Sequence, residues 1–172
     1  MSPAGAFTLS AMVGFFLVYR NSMHQESHIK SRQWKDRGNS ADDPFDAISN
    51  DWRGFNSLYY TAKGKSERDK IKSYLQSNFD EEMATTLLAS HADQVVYLIS
   101  KPVVDMRHNG RDTTLNICIF NSAKAASKKI EELFMIIYQV RCNFEHGQKS
   151  TSSERDTRLC RAAGPIVAEV IT

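Results

Sequence analysis

From residue 43 onward, apolar side chains recur at steps of three and four, the spacing that lines one face of a helix. Phe45, Ile48, Trp52, Phe55 and Tyr59 form the first stripe, which ends near Gly64. Asp42-Asp-Pro-Phe45 puts acidic residues and a proline at its start, as helix N-termini favour. Ser66-Glu-Arg-Asp69 reads as a capping box, and Ile71, Tyr74 and Leu75 give the next helix its buried side. Asp80-Glu-Glu82 opens a third helix through Met83, Leu87 and Leu88, and a fourth carries Val95, Val96, Leu98 and Ile99 up to Pro102. Residues 105–121 break the pattern. Asn109-Gly110 marks a turn, and Leu115, Ile117 and Ile119 alternate like a short strand. From Ala123 to His146 the helical spacing returns in Ile130, Leu133, Phe134, Ile137, Val140 and Phe144, and Gly147 supplies the left-handed position that ends many helices. Ser152-Ser-Glu-Arg-Asp156 caps a last helix through Leu159, which Gly164-Pro165 kinks or interrupts before Ile166 to Ile171. The pattern predicts an all-α fold, an antiparallel bundle of about five to six helices with an irregular loop before the helix at 123–146.

Residues 1–42 stand apart from this helical domain, which spans 43–172. Ala4 to Tyr19 is apolar and contains Phe7, Met12, Val13, Phe15, Phe16, Leu17 and Val18. The stretch is shorter than the roughly 20 residues a membrane span needs, and it lacks the basic start and small-residue cleavage site of a secretory signal. Three readings stand: a helix lying on a membrane or a partner, a packing arm, or an upstream extension of the reading frame with Met12 or Met23 as the start. The extension is preferred. Residues 21–43 are polar and charged, and read as a linker.

Composition narrows the class without naming a function. At 172 residues, 41% hydrophobic and 24% charged, the chain is long enough for one soluble domain with an ordinary core. A net charge of +2 argues against the broad basic footprint of a protein that grips long duplexes, and leaves room for a compact site on an exposed RNA loop. Cys118, Cys142 and Cys160 are odd in number and lack paired spacing, which points to free thiols in a reducing cytoplasm. His24 and His28 are four residues apart within the polar stretch, but no zinc spacing occurs, and neither a metal nor a cofactor is expected. The basic turn Arg107-His-Asn-Gly-Arg111 reads either as a solvated loop or as a contact to RNA phosphates or a partner.

The candidate chemistry lies where the helix at 123–146 meets its glycine. Arg141 is a cation that cannot be switched off, and His146 is a proton donor and acceptor tuned near neutrality. That pair suits cleavage of a phosphodiester. RNA carries its own nucleophile in the 2′-hydroxyl, so a base for that proton and a clamp for the developing oxyanion suffice without a metal. Arginine fits the clamp because its planar fork grips two phosphate oxygens. Five helical residues turn through roughly 500°, leaving the two side chains about 140° apart on an ideal helix. A dimer with a composite site relieves that misfit. The plainer alternative is that Arg141 pairs with Glu145 four residues on, while His146 complements the helix dipole.

The stretch Ile137-Tyr-Gln-Val-Arg-Cys-Asn-Phe-Glu-His-Gly-Gln-Lys149, followed by Arg155-Asp156 and Leu159, resembles the HEPN domains. Trp52-Arg-Gly-Phe-Asn-Ser-Leu-Tyr59 and the Lys101-Pro-Val-Val-Asp105 turn look like flanking blocks of the same family, and the resemblance covers roughly residues 43–172. It implies a HEPN-like bundle acting as a homodimeric, metal-independent endoribonuclease, of the kind frequent in toxin–antitoxin and anti-phage systems. By matching position, Arg141 and His146 are the catalytic pair and Asn143 supports them. Lys149, Arg155 and Arg158 are read as contacts to the RNA backbone, the last two on one basic face with Arg161. Two positions depart from the family pattern: Cys142 stands where asparagine is usual, and Glu145 replaces an apolar residue. The expected partners are RNA, a second copy of the chain, and a cognate antitoxin or defence protein, with a membrane not favoured. The rival reading is a catalytically silent HEPN domain that binds RNA or protein through the same surface.

Overall fold

The computed structural model describes residues 25–107, 110–145 and 153–171, and over these the chain is all-helical. Helix α1 covers residues 25–39. It is followed by α2 Pro44–Tyr59, α3 Glu67–Asn78, α4 Glu81–Ser90, α5 Ala92–Ile99, α6 Thr114–Ser122, α7 Ala126–Glu145 and α8 Glu154–Val170. None of these helices is long and apolar enough to cross a membrane.

Most starts fall where a short polar side chain takes up the orphan amides of the first turn. Asp43 accepts from the amides of Phe45 and Asp46 ahead of Pro44. Ser66 and Asp69 form the expected capping box, Asp80 accepts from Met83 N, and Ser153 accepts from Asp156 N. α7 is capped from outside its own segment: the Glu81 carboxylate on α4 accepts from the amides of Ala126 and Ser127. These backbone bonds hold the Glu81 carboxyl below the usual carboxylate range.

α7 is the centre of the bundle and touches every helix from α2 to α8. Its apolar stripe meets an aromatic cluster on α2, where Phe55 lies 5.1 Å from Phe134 and 4.8 Å from Tyr59 between ring centroids. α2 in turn packs most extensively along α8, with Ile48 and Leu58 buried on α2 and Leu159, Ala163, Ile166 and Val167 buried on α8.

The described fold departs from the sequence pattern in three places. Residues 25–39, read as part of a polar linker, form α1. Its buried positions are Ser31 and Gly38, with Trp34 half-buried, and a hydrophobicity pattern does not register a serine and a glycine as a core face. Residues 114–122 form α6 rather than a strand, so seven helices, not five or six, follow residue 43 among the described residues. Leu115, Ile117 and Ile119 are β-branched or apolar at alternate places, and over so short a run that alternation fits either period. Packing decides it. Phe120 is buried, Ile117 is half-buried, and Asn116 donates to Glu132 on α7 at 2.7 Å. The third departure is α8, which runs without interruption through Pro165. The proline faces outward while Ala162, Ala163, Ile166 and Val167 on either side are buried, so tertiary packing carries the helix past the lost amide.

α1 seats on α2 through Gly54. A Cβ there would stand 2.9 Å from the Ser31 carbonyl oxygen, 3.0 Å from Ile171 Cδ1 and 3.3 Å from Trp34 Cβ. Arg37 and Arg53 flank the Trp34 ring at 5.2 and 5.1 Å. Gly54→Ala is therefore expected to destabilise the protein by about 1–3 kcal/mol through overpacking. Urea unfolding with an unchanged m-value and a lowered midpoint is the check.

Candidate functional site

Arg141 lies near the C-terminal end of α7 and turns toward α2 and α3, with its side chain 26% exposed. Nη1 stands 3.8 Å from Glu67 Oε2 and Nε stands 3.8 Å from Glu145 Oε1. The guanidinium carbon lies 5.9 Å from the centre of the Trp52 ring. At 3.8 Å neither carboxylate is hydrogen-bonded, and Nε is buried without a hydrogen-bond partner. The local pairing with Glu145 thus exists as a loose ion pair, and a second carboxylate, Glu67, joins it.

Glu67 is held in turn. Tyr59 Oη donates to Glu67 Oε1 at 2.5 Å. Burial, reinforced by that bond, pushes the Tyr59 phenol far above its ordinary range. Burial also raises the Tyr138 phenol, with Cys142 and Glu67 adding to the effect, and Arg68 lies over the Tyr138 ring at 5.1 Å. Both phenols stay protonated at neutral pH, so they are hydrogen-bond donors here and not bases. The sequence carried no sign of Glu67 as a neighbour of Arg141. Its one visible role is in the first turn of α3, inside the Ser66–Asp69 box, and the contact to α7 is set by helix packing.

Asn143 points to another part of the molecule. It is 1% exposed. Its Oδ1 accepts from Met106 N at 3.2 Å and from Gln139 Nε2 at 3.1 Å, and its Nδ2 donates to the Val104 carbonyl at 2.8 Å. Arg141 and Asn143 are two residues apart, which places them about 200° apart around the helix. What Asn143 holds is the loop ahead of α6. There Val104 and Asp112 form an isolated antiparallel bridge, and Val103 N donates to Thr113 Oγ1 at 2.9 Å. Arg107 of the basic turn folds back onto Asp105, with Nε and one Nη each bonded to its carboxylate at 2.9 and 2.6 Å.

His146 and Lys149 lie outside the described residues, and so does the expected composite geometry that pairs His146 with Arg141. Arg155 is spent on main-chain carbonyls just after α5, donating to Pro102 O at 2.8 Å and Lys101 O at 3.4 Å. Arg158 is exposed, 3.9 Å from Glu154 and 5.7 Å from the Tyr97 ring. Arg161 is exposed on the same helix.

Because Asn143 bonds the part-buried Met106 N and Val104 O of the loop and the buried Gln139 Nε2 of α7, Asn143→Ala is expected to destabilise the protein by about 1–3 kcal/mol. Amide exchange should speed up first at Val103 to Arg107, which would separate loop release from general unfolding. No protein-family model, curated protein or solved structure matches this chain.

Proposed function

We propose that this protein is a metal-independent endoribonuclease of the HEPN type, working as a homodimer in the cytoplasm on single-stranded or looped RNA. The observation that carries the reading is the state of Arg141: a partly exposed guanidinium at the end of the central helix, with a buried Nε that has no hydrogen-bond partner. Its neighbouring carboxylates stand at ion-pair and not hydrogen-bond distance, so they do not saturate the donors of its partly exposed guanidinium. In the proposed reaction His146 accepts the 2′-hydroxyl proton, the 2′ oxygen bonds to phosphorus, and the bond from phosphorus to the 5′ oxygen breaks. A second, protonated imidazole gives its proton to the leaving 5′ oxygen. The products are a 2′,3′-cyclic phosphate and a 5′-hydroxyl, and Arg141 stabilises the charge that grows on the phosphate. The second copy of the chain brings the second imidazole within reach of one phosphate, and a cognate antitoxin or defence partner restrains the activity.

A silent RNA- or protein-binding module is the second reading, and one observation favours it. Glu67 and Glu145 place two carboxylates beside the only arginine of the motif, and a phosphate entering there meets both. The two readings separate in one assay. RNA cleavage in EDTA, blocked by 2′-deoxy substitution and reduced at least about a hundredfold in Arg141→Ala and in His146→Ala with the dimer retained, selects the enzyme. RNA binding without cleavage selects the module. Glu145→Gln removes one anion from beside Arg141. It is expected to tighten RNA binding several-fold and weaken its salt dependence little, read by fluorescence anisotropy at two ionic strengths.

A further inference from the structure

Away from Arg141, an open cavity of about 600 Å³ lies between α1, α2 and α8. Asp51 of α2, a residue only 4% exposed, lines it. Among the described residues its Oδ1 has no hydrogen-bond partner, and no cation stands within ion-pair distance of it. Gly38 packs directly against Oδ1, and Gly164 leaves room beside Oδ2. A Cβ at Gly38 would lie 2.2 Å from Oδ1, and one at Gly164 would lie 3.7 Å from Oδ2. Much of the remaining wall is alanine and proline.

A buried carboxylate without a donor is costly, and proteins that keep one supply it with a cation or use it. The charged and titratable groups facing it are Lys35 from α1, Asp42 from the turn before α2, and Cys160, Arg161 and Glu169 from α8. Glu169 is already engaged with His91 at 2.7 Å. Lys35 favours the charged form of Asp51 but does not reach it. Burial prevails and pushes the Asp51 carboxyl up to about 7. No three metal-ligating side chains converge here among the described residues, so the donor set suits N–H groups better than a hard metal ion. We infer that this cavity binds a small organic cation, a primary ammonium on a short apolar body, with the Asp51 carboxylate as its counter-ion. The ammonium pairs with the edge of the carboxylate that meets the cavity, Gly164 leaves room beside Oδ2, and the alanine and proline walls take the alkyl part. This site is independent of Arg141 and of RNA cleavage.

The probe is n-butylammonium, with n-butanol as its uncharged analogue, titrated into the full chain by calorimetry. An alkylammonium stays protonated across the range used, as a lysine side chain does with its value of about 10.4. Binding therefore follows the carboxylate and should tighten about thirtyfold from pH 5.5 to pH 8, the change in ionised fraction of a group titrating near 7. n-Butanol should not bind, and Asp51→Asn should lose butylammonium binding. The sign of the folding control is opposite. The folded value of this carboxyl lies above its unfolded value of 3.8. Its contribution to stability is therefore complete below the unfolded value and lost as pH rises to about 7. Asp51→Asn should thus melt higher than the parent at pH 8, with the gain fading toward pH 4. In the parent protein itself, butylammonium should lower the titration midpoint of the Asp51 carboxyl followed by ¹³C NMR. Equal binding of n-butanol, retention in Asp51→Asn, or an unmoved midpoint would each overturn the assignment.

Discussion

The arrangement of the bundle depends on burying α7 on nearly all sides while it still carries polar side chains. Twelve of its twenty residues are buried, and four of those are Glu131, Glu132, Gln139 and Asn143. Buried charges and amides are costly unless paired, so each of these positions fixes the segment that pairs with it. Glu131 takes Gln76 and Lys128, and Glu132 takes Lys72, Lys128 and Asn116. Gln139 accepts from Arg68 and donates to Asn143, which closes on the loop at Val104 and Met106. Apolar contacts alone would let α3 or α6 slide by a turn at modest cost. The polar series allows one register, because a shift leaves a carboxylate or an amide buried and unpaired.

That register also determines what the C-terminal end of α7 can offer. The polar series runs down the faces that meet α3, α6 and the loop, and Asn143 belongs to it. Arg141 lies outside the series, on the face toward Trp52 and Glu67. The two residues that look like one motif along the chain therefore have separate tasks: one clamps a loop, and the other keeps a guanidinium near the surface. A rigid clamp two residues away fixes the helical turn that carries Arg141, which is the kind of support a phosphate-binding group needs.

Much of this was legible in the chain. The stripes at Phe45–Tyr59 and Ile130–Phe144, the capping box at Ser66 and the acidic start at Asp80 locate α2, α7, α3 and α4, because each helix carries its own apolar period or its own cap. α1 was hidden because its contact with the bundle rests on Ser31, Gly38 and Gly54, where what matters is the absence of side-chain volume. α6 was hidden because Ile117 and Ile119 satisfy two periods, and the residue that decides between them is Glu132 on another helix. The same reason explains the candidate site. Arg141 and its loose pairing with Glu145 follow from spacing four along a helix, whereas Glu67, Tyr59 and Trp52 come to it from elements up to ninety residues away in sequence. Pairwise spacing reads contacts within a helix and is blind to those between helices.

α2 joins the two unusual features of the molecule. Asp51 and Trp52 are consecutive, about 100° apart around that helix. Trp52 turns inward, beneath Arg141, and Asp51 turns toward α1 and α8. A carboxylate buried without a donor adds nothing to the folding of α2, since an asparagine or alanine at 51 would fit the same helix without the charge. The neighbouring glycines point the same way: Gly38 is compelled by the carboxylate itself, because any side chain there would collide with Oδ1. A destabilising acid, together with a glycine whose missing side chain makes room for it, breaks the local rules of a stable core in two linked places. Such linked violations are where function is sought in an otherwise consistent fold.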